Sequence, residues 1–368
     1  MPSLIPYRKG DKWGFCTPDK KIVVACKYQF AYAFENGHAL VCSYDKWGMV
    51  DSTGMEVVKC LYDKPFHFQE DRAAVLLQGQ WSIISLQNKL IASPQYDYVS
   101  PFEKGIAVVQ FGELFALIDR HGRTITNRAY WLINTVSEGM FCVSAYHKYG
   151  FLDSLGKIVI ECKYDSAESF SEGLAKVKVG SKYGYIDHSG HVVIPFIYDQ
   201  AGSFSEGIAN VRLDNKWYYI NSKGHPVGKN HYDLADSFCG GFATVKIGDS
   251  AMCINRRGEV IFREGPVKVS PLYNGMAIFV NDQTKSGIID TAGKTIIPFT
   301  YHKIQGLSEG LLDAAVKDKF GYIDLTNKLI IPYKYSDVFS FNRGLALVKI
   351  NDDTFGYIDR KGNQYWED

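Results

Sequence analysis

A spacing of 34 residues constrains this chain more than any other feature. An aromatic stands at Trp13, Trp47, Trp81, Phe115, Tyr149, Tyr183 and Trp217, each 34 residues after the last. Ala251 keeps the register without the ring, and Ser286, Phe320 and Phe355 continue it with two spacings of 35. A second series runs Phe34, Phe68, Phe102, Val136, Phe170, Phe204, Phe238, Leu272, Leu307 and Phe341. Comparing the two series places both single-residue insertions in "VNDQTKSG" and "KINDDTFG", which have the composition of loop tips that tolerate added length. A period held over the whole chain means a repeat architecture, in which each unit buries its apolar face against its neighbours.

One unit reads as strands. "LAKVKV" (174–179) alternates apolar and basic residues, "YGYID" (183–187) follows a short polar turn, and "HVVIPFIY" (191–198) comes next. No run shows a sustained helical period, and each is four to eight residues long. Four residues after the anchor stands Asp, Asn, Ser or Thr, a side chain that caps a turn through backbone N–H groups two residues on. Three residues later comes Gly in most copies, Asn at 88 and 327, and Lys20 in the first; this D-x-x-G spacing predicts a type I turn closed by a left-handed residue. A fourth, short strand is predicted around Ala31, Pro65, Val99, Ile133, Ala167, Ala201, Ala235, Val269, Ile304 and Val338. Every occupant there is small or apolar, which predicts burial where copies crowd together. The fold expected is all-β: a tandem array of ten to eleven β-meander units with propeller-like blades, one array over residues 1–368. There are eleven copies of the main hairpin and ten of the short strand, and neither terminus offers an obvious strand to close a ring. Closed ring and open superhelical array therefore both stand.

The stretches "KWG", "YID..G", "IVIP..YD" and "FSEGLA.V" resemble the WG-repeat (KWG repeat) family of bacterial repeat proteins, from Trp13 to the C-terminus. The order of strands and turns is also similar to the blade pattern of WD-repeat propellers, a likeness of fold alone. The chain departs from the pattern where the Gly after the anchor becomes Ser82, Ala116, Tyr218 or Met252. The resemblance implies a binding or scaffold module without a shared activity.

Charge excludes some roles. With 41 Lys+Arg against 40 Asp+Glu, no bulk field draws the chain to nucleic acid or an anionic membrane. Lysines precede the anchor at 12, 46, 148, 182, 216, 285 and 319, but Asp11, Asp45 and Asp318 stand beside three of them, so solvated hairpin tips are expected rather than a polyanion track. No apolar run reaches the length of a membrane helix, and the first residues carry no secretory h-region. Cys26, Cys60 and Cys162 share a position that Phe196 fills in another copy, which predicts small hydrophobes, not disulfides, and a reducing, cytoplasmic setting.

Chemistry-bearing motifs are scarce. The Asp row supplies one carboxylate per loop, far from the six to eight oxygens of a calcium site. His188 and His191 form H-x-x-H across a turn, near His225 and His231, a spacing that fits no helical zinc motif. No nucleophile elbow, phosphate loop or dinucleotide fingerprint is present in context. Neither a metal nor a cofactor is implied. A catalytic or binding residue should be singular in an array, and the singular features are Trp131 beside Tyr130, Trp366, and the eroded copy from Met252 to Pro266. Tyr130, Trp131, Met252 and Pro266 are the candidate binding positions; drift in loops and eroded units is the competing explanation. The expected function is a non-catalytic binding or scaffold protein with a protein or peptide partner. The alternative is a propeller that binds a glycan or small ligand, possibly as a hydrolase, in an aromatic-lined channel.

Overall fold

The computed structural model describes residues 2–126, 129–263, 268–272, 275–281, 283–351 and 353–368. Among the described residues, eleven small sheets, antiparallel except for one strand of the first, stand side by side in a ring, an eleven-bladed β-propeller. Among the described residues no helix is long and apolar enough to cross a membrane. Blade 2 shows the unit: a short strand Phe30–Ala31, then His38–Ser43, Lys46–Asp51 and Glu56–Tyr62, each hydrogen-bonded to the next. Blades 5, 6 and 7 repeat it over 132–164, 166–198 and 200–232.

The turn residues act as their spacing requires. Asp51 Oδ1 accepts from the N–H groups of Thr53 (2.9 Å) and Met55 (3.0 Å), and Asp187 does the same for Ser189 and His191. The closing residue is left-handed whether it is Gly54 (φ 85), Asn88 (φ 57) or Lys20 (φ 66). The anchor aromatics are mostly half-buried, with Trp13 fully buried, and pack into the clusters between sheets. None of the eight cysteines is joined in a disulfide.

The Gly after the anchor has a steric cause. In the regular copies the long edge strand bulges across it, so a Cβ on Gly184 would lie 2.6 Å from Ile194 O, and one on Gly48 the same from Val58 O. Blade 6 accordingly pairs Tyr183 with Tyr198 and Tyr185 with Ile194, so Pro195, Phe196 and Ile197 stand opposite Gly184 alone. Where Tyr218 replaces the Gly, the bulge is wider: Trp217 pairs with Tyr232 and Tyr219 with Val227, so residues 228–231 stand opposite Tyr218, with Gly228 at φ 78. Ser82 solves the same problem differently, its hydroxyl donating to Ala92 O at 2.6 Å.

Two expectations need correction. The short-strand row is buried at Ala31, Val99, Ile133, Ala167, Ala235, Ile304 and Val338, but Pro65 is exposed and Phe66 takes the inward place. Proline has no N–H for the ladder, and blade 3 accordingly has three strands, Arg72–Leu77, Gln80–Ser85 and Leu90–Tyr96. The C-terminus does supply a closing strand. Trp366–Glu367 pairs in parallel with Ile5–Lys9, with Arg8 N donating to Tyr365 O (3.3 Å) and Gly10 N to Glu367 O (2.9 Å). Blade 1 is thus made from both ends of the described chain, and the array is a closed ring. The sequence hid this because the strand is two residues long and runs opposite to the ten copies it replaces.

Candidate functional site

Neighbouring blades are joined by the F-S-E-G stretch. Glu172 accepts from Gly207 N at 2.7 Å, and Glu138, Glu206 and Glu309 accept from the equivalent glycine N–H of the next blade. Ser137 and Ser171 donate to Phe170 O (2.6 Å) and Phe204 O (2.7 Å) of the following blade. A further row in the second strand reaches the next short strand: Cys142 to Ala167 O, Lys176 to Ala201 O and Asn210 to Ala235 O. The hairpin lysines are also engaged. Lys46, Lys148, Lys182 and Lys216 pair with Asp63, Asp165, Asp199 and Asp233, and the lysine hydrogen bond pulls each carboxyl below its usual range. For these four the cancelling charge is the Asp seventeen residues on; of the adjacent acids expected to cancel the row, Asp11 does pair with Lys12, at 3.4 Å.

Blade 1 breaks this scheme. Trp366, opposite Arg8, occupies the place that Phe30, opposite Cys42, occupies in blade 2. The rest of the short strand and its F-S-E-G loop has no counterpart among the described residues of blade 1. The space forms a cavity of about 1030 Å³ between blades 2, 3 and 11, with Pro2 at its edge. A second cavity of about 760 Å³ shares Phe34, Asn36 and Arg343 with it.

The walls are aromatic. Phe30 and Tyr32 project from one face of the short strand, two residues apart. Their rings lie 5.0 Å apart, Tyr32 lies 5.7 Å from Trp47, and Phe30 is 6.4 Å from Phe355 of blade 11. Contact between blades two apart requires the sheets to converge there, which places the short-strand edge toward the ring axis. Tyr32 is 37% exposed and Phe339, on the opposite wall, 47%. Burial raises the Tyr32 phenol above its ordinary pKa. Leu40 and Leu347 stand where the regular blades carry a donor to the next short strand.

The rim is charged. Arg343 replaces the clamp glutamate and reaches Glu35 across the seam at 3.7 Å. Glu70 accepts from Lys104 N (2.7 Å) and Gly105 N (2.6 Å). Asp71, His38 and His67 complete the titratable lining. Beneath, the buried Arg8 guanidinium donates to Phe355 O at 2.9 Å and Asp368 Oδ1 at 2.7 Å, tying the closing strand to blade 11. Ser340 lines the cavity and donates at 3.0 Å to Asp313 Oδ2 behind it. Asp313 is 2% exposed; burial pushes its carboxyl up to about 6, with Asp337 adding to the rise and the Ser340 bond opposing it.

The residues singled out in the sequence lie elsewhere. Tyr130 is core between blades 4 and 5, bridged to Phe115, and Trp131 is exposed, edge-on to His147 at 4.2 Å. Met252 is buried in blade 8, and Pro266 falls outside the described residues. Of the histidines, His188 stacks on Phe170 and meets Glu138 at 3.1 Å, and His191 pairs with Asp187. Among the described residues no group of three His, Cys, Asp or Glu could hold a metal ion. The seam had a signal in the sequence. The two short-strand positions held by Phe30 and Tyr32 are both aromatic in that copy and in none of the other nine.

Comparison with known proteins agrees with the period. The WG containing repeat matches residues 13–47, 47–81, 81–115, 149–183, 183–217, 287–319 and 320–352. No curated protein matches the sequence. Among solved structures, the chain is similar to a eukaryotic initiation factor at 12% identity, over 99% of this chain and 95% of that one, with a TM-score of 0.45. Hsv2p of Kluyveromyces lactis matches at 12% identity, over 61% and 92%, with a TM-score of 0.35. BamB of Moraxella catarrhalis matches at 11%, over 72% and 91%, also at 0.35. These structural likenesses are too slight to bear on function.

Proposed function

The chain belongs to the WG-repeat family, and from that premise we propose that it is a non-catalytic binding protein that engages a protein or peptide partner at the seam of its ring. The observation that carries this reading is the break in the repeat. At the seam Arg343 stands in the clamp place of blade 11, while Glu70 still clamps blade 3 onto blade 4, and half-exposed aromatic rings line a cavity large enough for several side chains. Aromatic anchors set in a pocket, with a polar rim, are the usual seat of binding energy at an interface.

The carboxylates support a non-catalytic role. Glycoside hydrolysis takes a free pair flanking the bond to be cut. Here Glu35 is engaged by Arg343 and Glu70 by two backbone N–H groups, which leaves Asp71 alone. Partly exposed rings are also what a sugar stacks on, so a glycan is the second reading.

The test is a panel of displayed peptides and a glycan array, each probed with wild-type protein and with a Tyr32→Ala, Phe339→Ala variant. Peptides enriched by the wild type and lost by the variant, at an unchanged melting midpoint, support the proposal. Seam-dependent glycan binding with no peptide enrichment overturns it in favour of the second reading.

A further inference from the structure

We propose that the seam cavity receives an organic cation, the guanidinium or alkylated ammonium head of a partner's side chain. This rests on the seam being the partner's site and adds the chemistry of what enters it.

Two independent features of the cavity favour a cation. The first is the cluster around Phe30, whose ring touches those of Tyr32, Trp47 and Phe355 at 5.0, 6.3 and 6.4 Å. Aromatic faces carry negative potential, and a cation within about 6 Å of several ring centroids is attracted by all of them. Arg343, the cation among the lining residues, is paired with Glu35 at 3.7 Å. The second feature is the balance of the rim: Glu35, Glu70 and Asp71 against Arg343. Glu35 and Arg343 cancel, leaving Glu70 and Asp71 uncompensated by any cation among the lining residues.

The competing occupants fit less well. An anion would meet the excess carboxylates. A purely apolar side chain would gain from the rings but would desolvate the rim carboxylates without a counter-charge. A cation with an apolar skirt satisfies both: its charge faces the carboxylates and its methylene or methyl groups lie on the rings. The cavity, at about 1030 Å³, has room for such a head together with flanking backbone.

The experiment is isothermal titration calorimetry of the full chain with one host peptide, Gly-Ser-X-Ser-Gly, blocked at both ends. X is arginine, trimethyllysine or norleucine, the last a neutral chain of similar length. Choline is a separate arm, which distinguishes a free cation from a side chain. The cationic peptides should bind about tenfold tighter than the norleucine peptide, and more weakly as salt rises. Tyr32→Ala should lose about tenfold, Tyr32→Phe should keep the affinity, and Asp71→Asn should lose a few-fold. Asn accepts the left-handed backbone that Asp71 adopts at φ 60, so that variant folds without added strain. Choline binding with the same Tyr32 dependence supports the cation chemistry and assigns its source to a small molecule. Norleucine binding as tightly as arginine, still lost in Tyr32→Ala, overturns the cation while leaving the seam as a peptide site. Binding indifferent to Tyr32→Ala, or none with any probe, overturns both.

Discussion

Blades 5 to 7 and the seam are made of the same 34-residue unit, yet they use its positions in opposite ways. In blades 5 to 7 the clamp glutamates, the serines beside them and the Cys142, Lys176 and Asn210 row all reach into the next blade. These polar groups are committed to assembly. At the seam the clamp position is Arg343, the donor row is Leu40 and Leu347, and the short strand gives way to Trp366–Glu367. Side chains no longer needed to join blades are free to face a ligand. Recurring residues in this protein therefore hold the ring together, and the departures from recurrence mark where it can act.

The sharpest break of that comparison is at the closing strand. Trp366→Ala removes the half-buried ring that fills the short-strand place of blade 1. It should cost about 3 kcal/mol, the low end for stripping a large aromatic from a packed site, and should open blades 1 and 11 to proteolysis before any other. Thermal melts and mapped early cleavage sites check this. Cleavage starting in blades 5 to 7 would mean that the seam is not the weak joint.

Asp313 gives the next effect, and its sign depends on pH. In the donor row it is the residue that can donate only when protonated, and its Oδ1 has no hydrogen-bond partner. The groups facing it are Ser340, Asp337 and the Tyr322 phenol, with Gln305 and Lys303 on the neighbouring strand. Its carboxyl, raised to about 6, binds its proton more tightly in the folded protein than in the unfolded chain. Its contribution to stability is therefore full below about pH 4 and is lost as pH climbs through about 6. Asp313→Asn supplies a permanent donor. It should stabilise the protein by about 2 kcal/mol at pH 7.5 and by almost nothing at pH 4. Melting midpoints at the two pH values decide; an equal shift at both would remove the titration from the account.

Within the regular blades, Gly184→Ala sets a Cβ against Ile194 O and should cost about 2 kcal/mol through overpacking. Ala116→Gly, where the chain already tolerates a methyl, should change the midpoint by less than about 2 °C. The smallest effect is expected of Glu172→Gln, which keeps an acceptor for Gly207 N and loses only its charge: a shift within about 2 °C. A large loss there would show that the clamps work by charge rather than by geometry.

Much of this architecture was legible in the residues because a repeat multiplies its own signal. The D-x-x-G turns, the three long strands and the buried small row each appear ten or eleven times, so a single exception such as Pro65 stands out without obscuring the rule. Closure was not legible. It depends on two residues, Trp366 and Glu367, pairing in parallel with a strand more than 350 positions away, and no period encodes an event that happens once. The clamps were visible as a motif but not as a contact, since Glu172 and its partner Gly207 belong to different units. The side chains that look odd singly, Trp131 and Met252 of the eroded copy, lie away from the seam. The seam is singular as a combination, Phe30 with Tyr32, each of which looks ordinary alone.

Hydrogen–deuterium exchange on the full chain, with and without the tightest seam-dependent peptide, is the measurement that bears most directly on the claim that the ring acts where its repeat breaks. Protection confined to 30–40, 66–71 and 339–347, with blades 5 to 7 unchanged, is the result the account predicts. Protection centred on blades 5 to 7, or spread evenly around all eleven blades, would contradict it.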